Sequence, residues 1–150
     1  MYGDPAAKMA MAPDLLAALD EAGIDHAVAA GFAFSAARDV EEQNGYLHRT
    51  GANSNRRISV VATVNPALDG WEAGARDALE AGAAGFGELR PHNQGWDPLG
   101  PAGRALCGLA GDAGVVLLWH VSEPLGHMYP GKDGGITPVE LCRVAEQFPG

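Results

Sequence analysis

Short apolar runs alternate with amphipathic, charge-bearing stretches along the chain, and the alternation repeats. Residues Pro13–Gly23 set Leu15, Leu16 and Leu19 on one face at helical spacing, and Gly23 stands where a helix stops. Ile24–Phe32 is an apolar run that predicts a buried strand, and the charged stretch Ser35–Thr50 predicts a helix despite Gly45. Ile58–Val64 is short, apolar and β-branched, the strongest strand signal in the chain. Ala67–Gly82 predicts a helix, Ala83–Leu89 a strand of small residues, and Gly100–Gly114 a helix. Val115–His120 predicts another strand. Thr137–Phe148 predicts the last helix, with Thr137 as N-cap and Pro138 at the first position.

The order is therefore a helix followed by four strand–helix repeats. The strands begin near Asp25, Ile58, Ala84 and Val115, spacings of about 26 to 33 residues, as in successive βα units of a parallel sheet. Their continuous apolar character predicts cover on both faces. The fold class is α/β in a single domain, residues 1–150, and two architectures use such units. Length favours an open doubly wound sheet, because a closed eight-stranded barrel needs roughly 250 residues. The polar residues favour a barrel. Asn65 follows the second strand, Glu88 and Arg90 the third, His120 and Glu123 the fourth, and in a barrel such strand ends meet at one mouth.

Composition narrows the partners. The chain has 150 residues, 47% of them hydrophobic, which suffices for a packed core. A net charge of −9 argues against nucleic acid and anionic membranes as partners. No run approaches the roughly 20 apolar residues of a membrane span, and the amino-terminal residues do not read as a signal peptide. The two cysteines, Cys107 and Cys142, form neither a CxxC nor a zinc-ligand spacing, which predicts a reducing, cytoplasmic setting.

The candidate chemistry lies at the strand ends. His120 closes a rigid strand and is placed either to hold a metal or to hydrogen-bond a backbone carbonyl. Glu88 and Arg90 are two apart and share a face. Together they suit a metal and an acidic substrate group, or an internal ion pair. His92, Asn93 and Gln94 suit substrate binding or the capping of a turn at Pro91. Glu123 suits an acid–base role or the orientation of His120. His127 lies seven residues beyond His120, too far for an HExxH face. Lys132 lies in a glycine-rich loop that lacks the phosphate-loop pattern. Ser122 is not in GxSxG, neither cysteine accompanies a histidine in a loop, and His26 and His48 read as structural and solvated respectively.

The stretches "GFGELRPHNQGWDP", "LLWHVSEPLGHMYPGK" and "ATVNP" resemble TIM-barrel metal-dependent hydrolases of the amidohydrolase superfamily, in its amidohydrolase-2 branch. The resemblance covers nearly the whole chain and is most specific from His120 to Lys132. It implies a partial (β/α)8 barrel, about four βα units with parallel strands, corresponding to strands two to five. It implies a divalent metal, zinc in the first instance, that activates water at the carboxyl-terminal mouth on a small-molecule substrate. Within it His120 and Glu88 are metal candidates, Glu123 and His127 catalytic ones, and Arg90, His92 and Lys132 substrate-binding ones. The sequence departs from the family by having no HxH pair. An arc of this kind leaves two open sheet edges and an uncovered inner face, which predicts poor folding alone, aggregation or pairing with another copy. Three other readings stay open: a decarboxylase on the same scaffold, a flavodoxin-like binding module without metal, and an inactive remnant.

Overall fold

A computed structural model describes residues 10–122, 125–129 and 132–149. Six helices and four strands follow one another: α1 (Ala12–Ala22), β1 (Ala27–Ala30), α2 (Ala37–Ala52), β2 (Ile58–Ala62), α3 (Trp71–Glu80), β3 (Gly85–Leu89), α4 (Pro91–Gln94), α5 (Pro101–Ala113), β4 (Val116–Trp119) and α6 (Pro138–Gln147). Each predicted element is present. Helix α3 starts at Trp71 rather than Ala67, because the chain turns at residues 66–70 and Gly70 adopts a left-handed conformation before the first helical residue. The predicted stops hold, with Gly23 and Gly114 both left-handed after α1 and α5. Among the described residues no helix is long and apolar enough to cross a membrane.

The strands form one parallel sheet in the order β1-β2-β3-β4. A doubly wound sheet reverses its strand order at a switch point, and this order has no reversal. Parallel crossovers are almost always right-handed, so steps taken in one direction put every crossover helix on the same side. The packing agrees. Val60, Ala62, Phe86 and Leu117 share one face, as the register pairs Ala62 with Phe86 and Phe86 with Leu117. Helix α2 comes down on Val60 so closely that a Cβ on Gly51 would stand 2.9 Å from Val60 Cγ2. Helices α3 and α5 contribute Ala75, Leu106 and Ala110 to the core around Phe86, and Val144 of α6 packs with Cys107 and Ile136.

The opposite face carries Val28, Val61 and Val116, related through Ser59, Ala30 and Gly85. Val61 is buried, whereas Val28 is 64% exposed, Val116 61% and Leu118 43%. The expectation of cover on both faces, drawn from the apolar strands, is thus corrected: among the described residues helices cover one face only. An apolar run records that a strand avoids water, and the outer side of β1 and β4 is as apolar as the packed side.

This asymmetry predicts unequal mutational costs within one sheet. Phe86→Ala should lose about 3–5 kcal/mol, whereas Val116→Thr should stay within about 0.5 kcal/mol of the parent. Urea unfolding midpoints measure both; equal losses would contradict the assignment of faces.

Candidate functional site

Strands β3 and β4 run in register from Gly85 opposite Val116 to Phe86 opposite Leu117, and then Leu89 lies opposite Trp119. Three steps along β3 thus match two along β4. Such an extra residue bends a strand and redirects its side chains. Phe86 and Leu89 both remain in the packed core, so the residue added between them carries Glu88 away from it. His120 continues the uncovered face of β4, two residues beyond Leu118. The two side chains meet there, with Glu88 Oε1 2.9 Å from His120 Nδ1.

A carboxylate only accepts, so Nδ1 carries the proton and donates. Nε2 lies 3.3 Å from the carbonyl oxygen of Lys132. A carbonyl also only accepts, so this second contact is a hydrogen bond only when the ring bears both protons. The Glu88 side chain is 39% exposed and that of His120 20%, which places the pair at an open strand end. A cavity of about 850 Å³ lies elsewhere, between α2, α3 and β2, and neither Glu88 nor His120 lines it.

The loop residues divide by what they touch. Arg90 is half-buried, and its Nη2 donates to the Asp133 carbonyl. Lys132 is buried and its ammonium donates to the carbonyls of Leu125, Gly126 and His127 at 2.5, 3.1 and 3.3 Å. This predicted substrate cation therefore ties the loop to itself. His127 is exposed, its ring 6.0 Å from that of Tyr129, and among the described residues no hydrogen bond joins it to Glu88 or His120. Glu123 lies outside the described residues. His92 faces helix α6, with Nε2 3.2 Å from Glu140 Oε2.

Several residues read as functional or solvated have structural tasks. Asn65 is buried, donates to the Phe34 carbonyl and accepts from Ala67 N. Gln94 belongs to the short helix α4, where the sequence suggested only a turn. Its amide donates to the Val64 and Phe34 carbonyls, while its oxygen accepts from Arg90 N and Trp96 Nε1. His48 is exposed, in keeping with its solvated reading, and its Nδ1 also lies 3.1 Å from the Ala81 carbonyl at the end of α3. Ser122, set aside as a nucleophile, donates to the Lys132 carbonyl at 2.8 Å and accepts from Gly135 N at 3.0 Å. No spacing rule marks such side-chain-to-backbone clamps. Both cysteines are free, and burial pushes the Cys107 thiol up.

A zinc ion takes about four protein or water donors. Glu88 and His120 are two, and they are bonded to each other. Among the described residues no group of three or more His, Cys, Asp or Glu side chains is placed to hold a metal. The described residues alone therefore do not fit a complete metal centre.

No protein-family model matches the chain, and no curated protein matches it. The fold defines the class: an α/β protein with a four-stranded parallel sheet and six described helices.

Glu140 generates a pH prediction. It closes a capping box, accepting from Thr137 Oγ1 at 2.7 Å and Thr137 N at 2.9 Å. These bonds, with a smaller contribution from His92, hold its carboxyl below the usual carboxylate range. Its stabilising effect is complete above the ordinary value of about 4.3 and is lost as pH falls through the lowered native one. The excess stability of the parent over Glu140→Gln, measured by urea unfolding, should therefore shrink on acidification. A pH-independent difference would contradict this.

Proposed function

We propose that the chain forms an arc of a (β/α)8 barrel of the amidohydrolase kind, its four strands being the second to fifth. In this reading the Glu88–His120 pair belongs to the mouth of a metal-dependent hydrolase acting on a small molecule. The sequential parallel order, the placement of the helices on one face and the bare apolar opposite face all support a barrel wall, whose inner side packs against side chains from the other strands. The free cysteines suit the cytoplasm.

The observation that carries the reading is the 2.9 Å contact of Glu88 with His120 Nδ1 on the uncovered side of the sheet. Metal-binding histidines commonly donate their other ring N–H to a carboxylate, which fixes the tautomer and the ring direction. Glu88 is then the residue that orients His120, and Nε2 is the nitrogen left for a ligand. A divalent metal, zinc first, would supply activated water there when bound; among the described residues Glu88 and His120 alone would not complete its donor set. Arg90 and Asp133 border the same mouth.

The test is a zinc titration of the full chain followed through the imidazole NMR signals. Zinc should move the His120 signals selectively, and His120→Ala should abolish the binding event. Glu88→Ala should weaken it by about 10–100-fold, as the loss of such an orienting partner does. Zinc that shifts other histidines and leaves His120 still would remove His120 from the proposed centre.

A further inference from the structure

One short segment lies against the part-buried His120 ring. The Lys132 carbonyl lies 3.3 Å from Nε2. A Cβ on Gly135 would stand 2.0 Å from the His120 carbonyl oxygen and 2.6 Å from ring atom Cδ2, so only glycine lets the chain lie this close to the ring. Ile136 N donates to the His120 carbonyl at 2.8 Å, and Ile136 is fully buried. Ser122 grips the segment at two points, at the Lys132 carbonyl and at Gly135 N. Asn93 N donates to the Gly134 carbonyl, which fastens the segment to α4 as well.

We propose that residues 132–136 are an internal plug on His120, and that Lys132 is the positioning residue that locks it. The backbone of Lys132 stands in front of Nε2, while its side chain reaches back to the carbonyls of residues 125–127. A buried ammonium gives up its water and needs replacement acceptors, and charge-assisted hydrogen bonds are among the stronger ones. Withdrawal of the carbonyl from Nε2 therefore pulls against three bonds at the other end of the same residue. A ligand reaches Nε2 only when the segment moves. The plug deepens the reading of His120 as the ligand-holding imidazole and supplies a means of controlling access to that site.

The experiment uses the five histidines of the chain as mutual references. The full-length protein is treated briefly with diethylpyrocarbonate, and modification at each histidine is quantified by peptide mass spectrometry. His120 should react about tenfold more slowly than the exposed His26 and His127, as a group that reacts only through local opening does. Lys132→Met should raise the His120 rate by a similar factor with the references unchanged, and Lys132→Arg should restore much of the protection. Ser122→Ala, which removes the second grip, should raise the rate by a smaller factor; it is the fallback if Lys132→Met fails to fold. A parent His120 as reactive as His26 would overturn the plug. So would variants that leave the His120 rate unchanged, or that accelerate all five histidines together. Zinc that bypasses His120 while this protection pattern holds would sink the hydrolase reading alone. Zinc that binds His120 without the protection pattern would sink the plug alone.

Discussion

Between Phe86 and Leu89 the third strand carries one residue more than its neighbour needs, and the placement of the candidate site depends on it. In a regular strand side chains alternate strictly, so the burial of both Phe86 and Leu89 requires an odd residue in between. Once that residue is present, Glu88 leaves the packed side and meets His120 across the strand end. Without it, either Leu89 would leave the core or the carboxylate would enter it unpaired, and burial of an unpaired carboxylate costs several kcal/mol. A packing requirement on one face of the sheet thus produces a polar pair on the other.

The sheet explains why that pair faces outward from a bare surface. Parallel crossovers are almost always right-handed, so strands added in one direction gather the crossover helices on one side. Phe86, Leu106 and Ala75 fill that side, and Val28, Val116 and Leu118 are left on the other. The apolar character of these exposed residues is what the proposed barrel reading rests on, since a barrel keeps such a side away from water. The same geometry places Glu88, Arg90 and His120 at a common end, since all three follow the carboxyl-terminal direction of parallel strands.

Much of the order of elements was legible in the residues. Ile58–Ala62 is a strand because β-branched side chains suit the pleat, Gly23 and Gly114 end helices because they tolerate left-handed conformations, and Thr137 and Glu140 write a capping box at the spacing it requires. The sequence puts Glu88 and His120 at neighbouring strand ends as metal candidates, but it does not announce that they bond to each other. What could not be read was the environment of each group. Lys132 reads as a substrate cation and Gln94 as a substrate or turn-capping residue in sequence, yet both are buried and donate to backbone carbonyls of segments distant in the chain or folded back upon it. The bare sheet face follows from the resemblance to an arc of a barrel and not from the strands themselves, because hydrophobicity along a strand does not tell which of its two sides has a neighbour.

The most direct test of the central claim is the proton on the His120 ring. Ring nitrogen chemical shifts, measured by long-range proton–nitrogen NMR with His120→Gln for assignment, report which nitrogen is protonated. The account predicts a proton on Nδ1 in the parent protein, and a change in its population when Glu88 is replaced by Ala. A bare Nδ1 in the parent, or a tautomer indifferent to residue 88, would contradict the pairing on which the site is built.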